Sequence, residues 1–115
     1  GKRPLMGAIA ARLADRVVLT SDNPRSEDPQ RILDDIVAGI DATFVEEKVA
    51  IDSDRATAIA SVVQKAQAGD IVLLAGKGHE DYQLVGKEIR PFNDVVVARA
   101  ALFARTAMAA TRGPV

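Results

Sequence analysis

The sequence has 115 residues, of which 48% are hydrophobic and 27% charged, and its 15 Lys and Arg nearly balance its 16 Asp and Glu. These values are typical of one globular domain and exclude a disordered chain. The near-neutral charge predicts no nucleic-acid or membrane partner, and no stretch approaches the ~20 apolar residues of a membrane span. The absence of cysteine excludes a disulfide framework, a thiolate metal site and a cysteine nucleophile, and it favours a cytoplasmic protein.

The first third of the chain alternates between helical and extended patterns. It opens at Gly1 without a methionine, which we interpret as the middle of a longer protein; a trimmed expression tag is the alternative. Pro4 is predicted to begin a helix, and a buried strand follows at 17–19. Asp28 and Pro29 are predicted to be the N-cap and first residue of a second helix. Apolar residues that share one face of these two helices are Met6, Ile9, Ala10, Leu13, Ile32, Ile36, Val37 and Ile40.

The middle of the chain continues the alternation. Residues 43–45, Thr-Phe-Val, are a strand candidate. A third helix, capped by Ser53 or Asp54, is predicted to extend to Gly69, which ends it. The residues of this helix that are expected to face inward are Ala56, Ile59, Ala60 and Val63.

The last third contains the longest apolar run. Residues 71–75, Ile-Val-Leu-Leu-Ala, predict a buried strand. Residues 82–92 predict a hairpin that turns near Gly86. Asn93 or Asp94 is predicted to cap a final helix.

Strands that alternate with helices predict an α/β fold. We expect a Rossmann-like, mostly parallel sheet with helices on both faces and an antiparallel hairpin near the C-terminus. In such sheets ligands bind beyond the carboxyl ends of the strands. Two polar segments, 22–25 and 76–80, begin where predicted strands end. Although they are about fifty residues apart in sequence, we expect them to meet at one edge of the sheet.

The first polar segment offers a cation that its own loop holds in place. Pro24 stiffens the loop, and Arg25 presents a planar set of donors that matches a carboxylate or a phosphate. Asn23 adds a donor and an acceptor. The alternative is an Asx-turn in which Arg25 pairs with Glu27 or Asp28 on the surface.

The second polar segment, 76–80, contains Gly-Lys-Gly, which lets the backbone approach a ligand closely. It lacks the Ser or Thr of a P-loop and the third glycine of a dinucleotide fingerprint, and the chain's single histidine excludes an HExxH zinc site. Lys77 is either a phosphate contact or a solvated lysine. Arg25, Asn23 and Glu80, together with the glycine backbone, suit a small zwitterion. We therefore predict a recognition site without a metal or a nucleophile.

Three stretches of the sequence resemble the carboxy-terminal domain of the Mur ligases. They are Lys-Arg-Pro-Leu-Met-Gly-Ala at 2–8, Thr-Ser-Asp-Asn-Pro-Arg at 20–25 and Ala-Gly-Lys-Gly-His-Glu-Asp-Tyr-Gln at 75–83. The resemblance covers essentially the whole chain. It implies that residues 1–115 are the last domain of a three-domain, ATP-dependent ligase of peptidoglycan precursor synthesis in bacteria.

The resemblance also implies which domain binds which substrate. In the family, an amino-terminal domain holds the UDP-sugar and a central P-loop domain binds ATP and Mg²⁺. The terminal carboxylate of UDP-MurNAc-L-Ala-D-Glu becomes an acyl phosphate, which the amine of the incoming amino acid attacks. The carboxy-terminal domain delivers that amino acid and excludes water by closing over the central domain. By itself this domain is expected to be monomeric, catalytically inactive and without a metal or cofactor of its own.

The Asp-Asn-Pro-Arg sequence resembles the family's recognition motif for meso-diaminopimelate. Diaminopimelate differs from lysine by a distal carboxylate, which Arg25 would bind, while Glu80 would accept from the distal ammonium. An Arg that contacts the amino acid in the family lies ahead of the stretch matching Gly1 onward, so that contact is missing here. The implied site residues are Asp22, Asn23, Pro24, Arg25, Gly76 and Glu80, with Lys77 and His79 as accessory candidates.

Two other interpretations stay open on the residues alone. The first is a free-standing nucleotide- or phosphate-binding module that uses the 76–78 loop, and it predicts tight ATP or ADP binding by this domain. The second is a purely structural interaction domain. It predicts that Asn23, Arg25 and Glu80 are scattered in space.

Overall fold

A computed structural model describes residues 2–22, 26–77 and 80–112 of the chain. These residues form helices and strands of the predicted α/β class, with a parallel pair and an antiparallel pair of strands. The helices are α1 (Lys2–Leu13), α2 (Pro29–Val37), α3 (Ala42–Lys48), α4 (Arg55–Lys65) and α5 (Asp94–Arg112). The strands are β1 (Val17–Leu19), β2 (Val49–Ile51), β3 (Tyr82–Val85) and β4 (Glu88–Pro91).

The parallel sheet joins β1 to β2, with Val17 opposite Val49. The strand predicted at 43–45 is wrong, because these residues belong to α3. The Asp41 side chain accepts a 2.8 Å hydrogen bond from the amide of Thr43 and so caps this helix. Such a cap satisfies a first-turn amide, and here it outweighs the extended preference of β-branched residues. The second parallel strand begins only after the helix, at Val49.

The strand predicted at 71–75 is also wrong. The segment runs without a ladder partner, and Ile71 and Leu73 are 94% and 84% exposed. An apolar run indicates a preference for burial, but a strand also needs a neighbour for its N–H and C=O groups. None of the strands in the described part of the chain pairs with this segment. The parallel sheet is therefore smaller than the sequence predicts.

The predicted hairpin is confirmed. β3 and β4 pair antiparallel with Val85 opposite Glu88, which leaves a two-residue turn. Gly86, the first turn residue, has a φ of +60°. Tight hairpin turns require positive φ, which glycine adopts without steric cost.

The predicted helix caps are confirmed. Where the sequence offered two candidate cap residues, the structure shows which of them accepts the hydrogen bond. Asp28 accepts from the amide of Gln30 at the start of α2. Asp54, rather than Ser53, accepts from Thr57 and caps α4. For α5 the cap is Asn93, whose Oδ1 accepts from the amides of Val95 and Val96 at 2.9 and 3.2 Å.

One core cluster joins β1 to the helices that surround it. Leu33 is fully buried at its centre, and α1 packs on α2 beside it. Helix α1 begins at Lys2 rather than at Pro4. Met6, Ile9 and Leu13 of its predicted apolar face are exposed, because the helix packs through its small residues instead. At Gly7 a Cβ would lie 2.7 Å from Ile36 Cγ2, so only glycine permits this approach. The buried members of the cluster are Ala11, Leu19, Leu33 and Ile40.

A second pair of helices, α4 and α5, packs together. Ile59 and Val63 are buried as predicted, and the helix ends at Lys65 rather than at Gly69. The inward placement of Ala56 and Ala60 is wrong, since both are exposed. The reason is that the buried face of α4 also includes a charged residue, which an apolar pattern cannot indicate; its buried residues are Arg55, Ala58, Ile59 and Val63.

No helix within the described ranges combines the length and the hydropathy that crossing a membrane requires.

Candidate functional site

The two polar segments meet in the structure. The Nζ atom of Lys77 lies 3.5 Å from Oδ1 of Asp22, although 55 positions separate the two residues in sequence. The other carboxylate oxygen of Asp22, Oδ2, lies 3.8 Å from the position that a Cβ on Gly76 would take. The first residues of the two segments are therefore in contact, even though 71–75 is not a paired strand.

Lys77 turns inward instead of toward solvent. Its side chain has no exposed surface, and its ammonium donates to the carbonyl oxygen of Tyr82 as well as to Asp22. The same ammonium lies 5.7 Å from the ring centroid of Tyr82 and 5.8 Å from that of Phe92. A buried ammonium needs acceptors, and the rings add a favourable cation–π contribution. Lys77 thus ties its loop to the hairpin and to the first segment.

The hairpin also holds the first segment by its backbone. Gln83, on β3, donates from Nε2 to the carbonyl oxygen of Asp22 at 2.9 Å and to that of Ser21 at 3.4 Å. The carboxylate of Asp22 takes no part in these two bonds, and 38% of its side-chain surface is exposed. The strand therefore positions the segment while leaving its first acidic group partly accessible.

The second segment begins with a backbone conformation that favours glycine. Gly76 has a φ of +108°, in the range that side chains with a Cβ avoid. Further along the segment, the amide of Glu80 donates at 3.1 Å to the carbonyl oxygen of Lys77, three residues before it. Glu80 itself is half-buried.

Some predicted site residues lie outside the described part of the chain. These are Asn23, Pro24, Arg25 and His79. Of the other predicted residues, the structure brings Asp22, Gly76 and Lys77 together and joins the amide of Glu80 to the carbonyl oxygen of Lys77.

Two residues that the sequence reasoning missed lie behind these segments. Arg55, the first residue of α4, forms a two-point ion pair with Asp94, the first residue of α5. Nε lies 2.8 Å from Oδ1, and Nη2 lies 2.6 Å from Oδ2. The guanidinium also donates to the carbonyl oxygens of Ser21 and Ala75. No spacing in the sequence indicates this pair, because its members are 39 positions apart and each sits beside an ordinary helix cap.

The described residues do not form a metal site. Within 2–22, 26–77 and 80–112, no three His, Cys, Asp or Glu side chains are grouped as a bound cation would need. The arrangement instead combines a partly exposed carboxylate, a glycine turn and a half-buried glutamate. Such groups recognise the charged ends of a small polar molecule through ionic and hydrogen-bond contacts.

Comparison with known families gives one match over most of the chain. The model described as "Mur ligase, glutamate ligase domain" matches residues 1–78. This range includes the first polar segment, 22–25, and Gly76, the first residue of the second polar segment.

Individual proteins give the same indication. The chain is 61% identical over 104 residues to the UDP-N-acetylmuramoyl-L-alanyl-D-glutamate–2,6-diaminopimelate ligase of Synechococcus elongatus. The aligned residues cover 90% of this chain and 20% of that protein. The protein of the same name from Thermosynechococcus vestitus is 55% identical over 112 residues, covering 97% of this chain and 22% of the relative.

A solved structure of a ligase with that name is similar in fold. It superposes with a TM-score of 0.85 at 49% sequence identity and covers 92% of this chain and 21% of the solved chain. The chain thus spans about a fifth of the length of the curated relatives that it matches.

Proposed function

Because the chain belongs to the Mur ligase family, as the match of residues 1–78 to its glutamate ligase domain establishes, we propose that it is the amino-acid-binding domain of a diaminopimelate-adding ligase. Its ligand is meso-diaminopimelate. The observation that carries the proposal is the contact of Asp22 with Gly76 and Lys77, which brings together the stretches 20–25 and 75–83 of the resemblance. The names of the relatives support the choice of amino acid.

The chemistry of the ligand fits the residues of both motifs. Diaminopimelate carries a carboxylate and an ammonium at its distal end, where lysine carries only the ammonium. Arg25 binds the distal carboxylate through two parallel hydrogen bonds, and Glu80 accepts from the distal ammonium. With lysine the guanidinium would be desolvated and unpaired, which costs ~2–5 kcal/mol and gives a preference of roughly 30- to several-thousandfold.

The domain contributes binding and orientation to the reaction. It presents the free amine of diaminopimelate to the activated carboxyl group of UDP-MurNAc-L-Ala-D-Glu. The amine nitrogen forms the new bond to the carbonyl carbon, phosphate leaves with the electrons of the broken C–O bond, and the amine loses a proton. Closure of the domain over this centre keeps out water, which would otherwise take the place of the amine.

Mur ligases in general depend on ATP and Mg²⁺. Among residues 2–22, 26–77 and 80–112, no three His, Cys, Asp or Glu side chains are grouped around a common point. We place the binding of ATP and Mg²⁺ in the other parts of a longer ligase, which the share of the relatives' length covered by this chain supports. This division leaves the binding and orientation of the amino acid to the present domain.

The test uses a replaced-domain ligase, in which this chain replaces the matching segment of the Synechococcus elongatus protein. It is assayed with ATP, UDP-MurNAc-L-Ala-D-Glu and either meso-diaminopimelate or L-lysine. We expect amide formation with diaminopimelate and a kcat/KM for lysine lower by roughly 30-fold or more. Arg25→Ala should raise the KM for diaminopimelate and remove most of this preference.

Arg31→Ala is the matched control, because Arg31 is an exposed arginine on α2 outside the site. It should leave both amino-acid KM values unchanged. Equal use of lysine and diaminopimelate, or an unchanged KM in Arg25→Ala, would contradict the proposal. Titration of the 115-residue chain with ATP separates the alternative, since tight binding would favour a free-standing nucleotide module.

A further inference from the structure

The guanidinium of Arg55 lies at the point where the two binding segments start. Its Nη1 donates to the carbonyl oxygen of Ser21 at 3.3 Å, and its Nη2 donates to that of Ala75 at 3.0 Å. Ser21 directly precedes Asp22, and Ala75 directly precedes Gly76. One planar group therefore joins the last backbone carbonyl before each segment.

Asp94 fixes the orientation of that planar group. Its two carboxylate oxygens accept from Nε and Nη2 of Arg55, at 2.8 and 2.6 Å. Both residues stand in the first turn of a helix, one beginning after the Asp54 cap and the other after the Asn93 cap. Because each backbone is held by its own cap, the ion pair has little freedom to shift.

Burial of the pair does not by itself explain why it is there. Arg55 is 5% exposed and Asp94 6% exposed. Removing two charges from water is costly, and well-packed apolar residues of similar volume often stabilise a fold at least as well. What apolar residues lack is donors for the two carbonyl oxygens. The pair thus supplies a fixed geometry at Ser21 and Ala75 that packing alone would not supply.

We propose that Arg55, oriented by Asp94, is a positioning residue that sets the separation between the two diaminopimelate-binding segments. The inference rests on the proposed function. Arg55 acts through the backbone of Ser21 and Ala75 and makes no contact with the ligand. Lysine cannot replace it, because an ammonium lacks the planar fork that reaches a carboxylate and two carbonyl groups at once.

The test uses the same replaced-domain ligase and separates the three substrates. In Arg55→Lys we expect the KM for meso-diaminopimelate to rise by about ten- to a hundredfold, because small displacements of a binding group are costly. The KM values for ATP and for UDP-MurNAc-L-Ala-D-Glu should stay within about twofold of the parent. A loss of fold stability alone would not produce this split.

The chain offers a matched control at the other end of the same helix pair. Arg105, half-buried on α5, donates to the carbonyl oxygens of Val63 and Ala66 at the end of α4. Arg105→Lys removes a comparable set of arginine-to-carbonyl bonds away from the site. It should lower the Tm while leaving the KM for diaminopimelate unchanged.

The outcomes distinguish this inference from the proposed function. If the parent ligase does not use diaminopimelate, both are overturned. If the parent uses it and Arg55→Lys has the parent's KM, or if Arg105→Lys raises that KM equally, only the positioning role is overturned. Should Arg55→Lys fail to fold, Asp94→Asn decides, because it keeps the arginine but weakens its orientation; a KM increase of about three- to tenfold is expected, and an unchanged KM would overturn the role.

Discussion

At the scale of single residues, side-chain chemistry and side-chain direction are predictable to different degrees. The sequence indicates Lys77 as a charged loop residue, and the structure buries its ammonium between Asp22 and the hairpin. A local pattern carries no information about that direction, since the acceptors come from 55 residues before and five residues after. Gly76 is different. The preference for glycine at position 76 arises locally, because a φ of +108° is a property of that residue's own backbone.

Gly76→Ala is expected to destabilise the chain by about 1–3 kcal/mol, since a Cβ is strained at this φ. The nearest atom outside its neighbours would be Asp22 Oδ2 at an ordinary 3.8 Å, so strain rather than a clash causes the loss. Urea denaturation of both proteins, followed by circular dichroism, measures the difference.

Gly69→Ala is the matched control for this change. Gly69 has a φ of +91°, and no atom lies within 4 Å of a Cβ placed there. We expect a similar loss of stability but no effect on diaminopimelate KM in the replaced-domain ligase, whereas Gly76→Ala should raise that KM. Full stability in Gly76→Ala would show that the turn adopts another conformation.

At the scale of helices and strands, the predicted helix caps are confirmed, whereas apolar runs predict a strand correctly at 17–19 and wrongly at 71–75. Asp28, Asp54 and Asn93 each accept from amides two or three positions further on, so the sequence contains both partners. A strand is different because its partner is distant. The run 71–75 has strand composition but no described neighbour, and 43–45 has β-branched residues but follows a capping Asp41.

Asp54→Ala tests the importance of one such cap. The carboxylate accepts from the amide of Thr57 at 3.0 Å at the start of α4. Its loss should cost about 1 kcal/mol and lower the Tm by about 4 °C. Thermal unfolding followed by circular dichroism measures both values.

Asp15→Ala is the control, since Asp15 is exposed and lies outside the helices. It should change stability by less than about 0.5 kcal/mol. Equal effects of the two substitutions would mean that removal of a negative charge, and not loss of the cap, is responsible.

At the scale of the whole molecule, the chain is more extended than its length suggests. Its radius of gyration is 15.4 Å, with principal extents of 50 × 37 × 20 Å, whereas a compact domain of this size has about 13 Å. The extension reflects two separate helix pairs, α1 with α2 and α4 with α5. Most of the core stability is therefore expected from the cluster around Leu33, where three helices and both parallel strands meet.

Leu33→Ala should destabilise the chain by about 2–5 kcal/mol, because it removes a fully buried side chain and leaves a cavity. That is a large share of the ~5–15 kcal/mol typical of a domain. Leu13→Ala removes the same atoms from a residue that is 75% exposed, and it should cost less than about 0.5 kcal/mol. Equilibrium unfolding in urea compares the two; a cost at Leu13 as large as at Leu33 would mean that the apolar face of α1 is covered.

Sequence alone is sufficient to predict the α/β class, the hairpin, the helix caps and the resemblance to the Mur ligases. Each of these depends on residues close together in the chain or on motifs that can be read directly. Three features follow only from the folded chain: α1 packs through Gly7, 71–75 has no strand partner among the described residues, and Arg55 joins the starts of both binding segments. Those features depend on atoms that are distant in sequence, and their energies arise only when folding brings donors, acceptors and packing surfaces together.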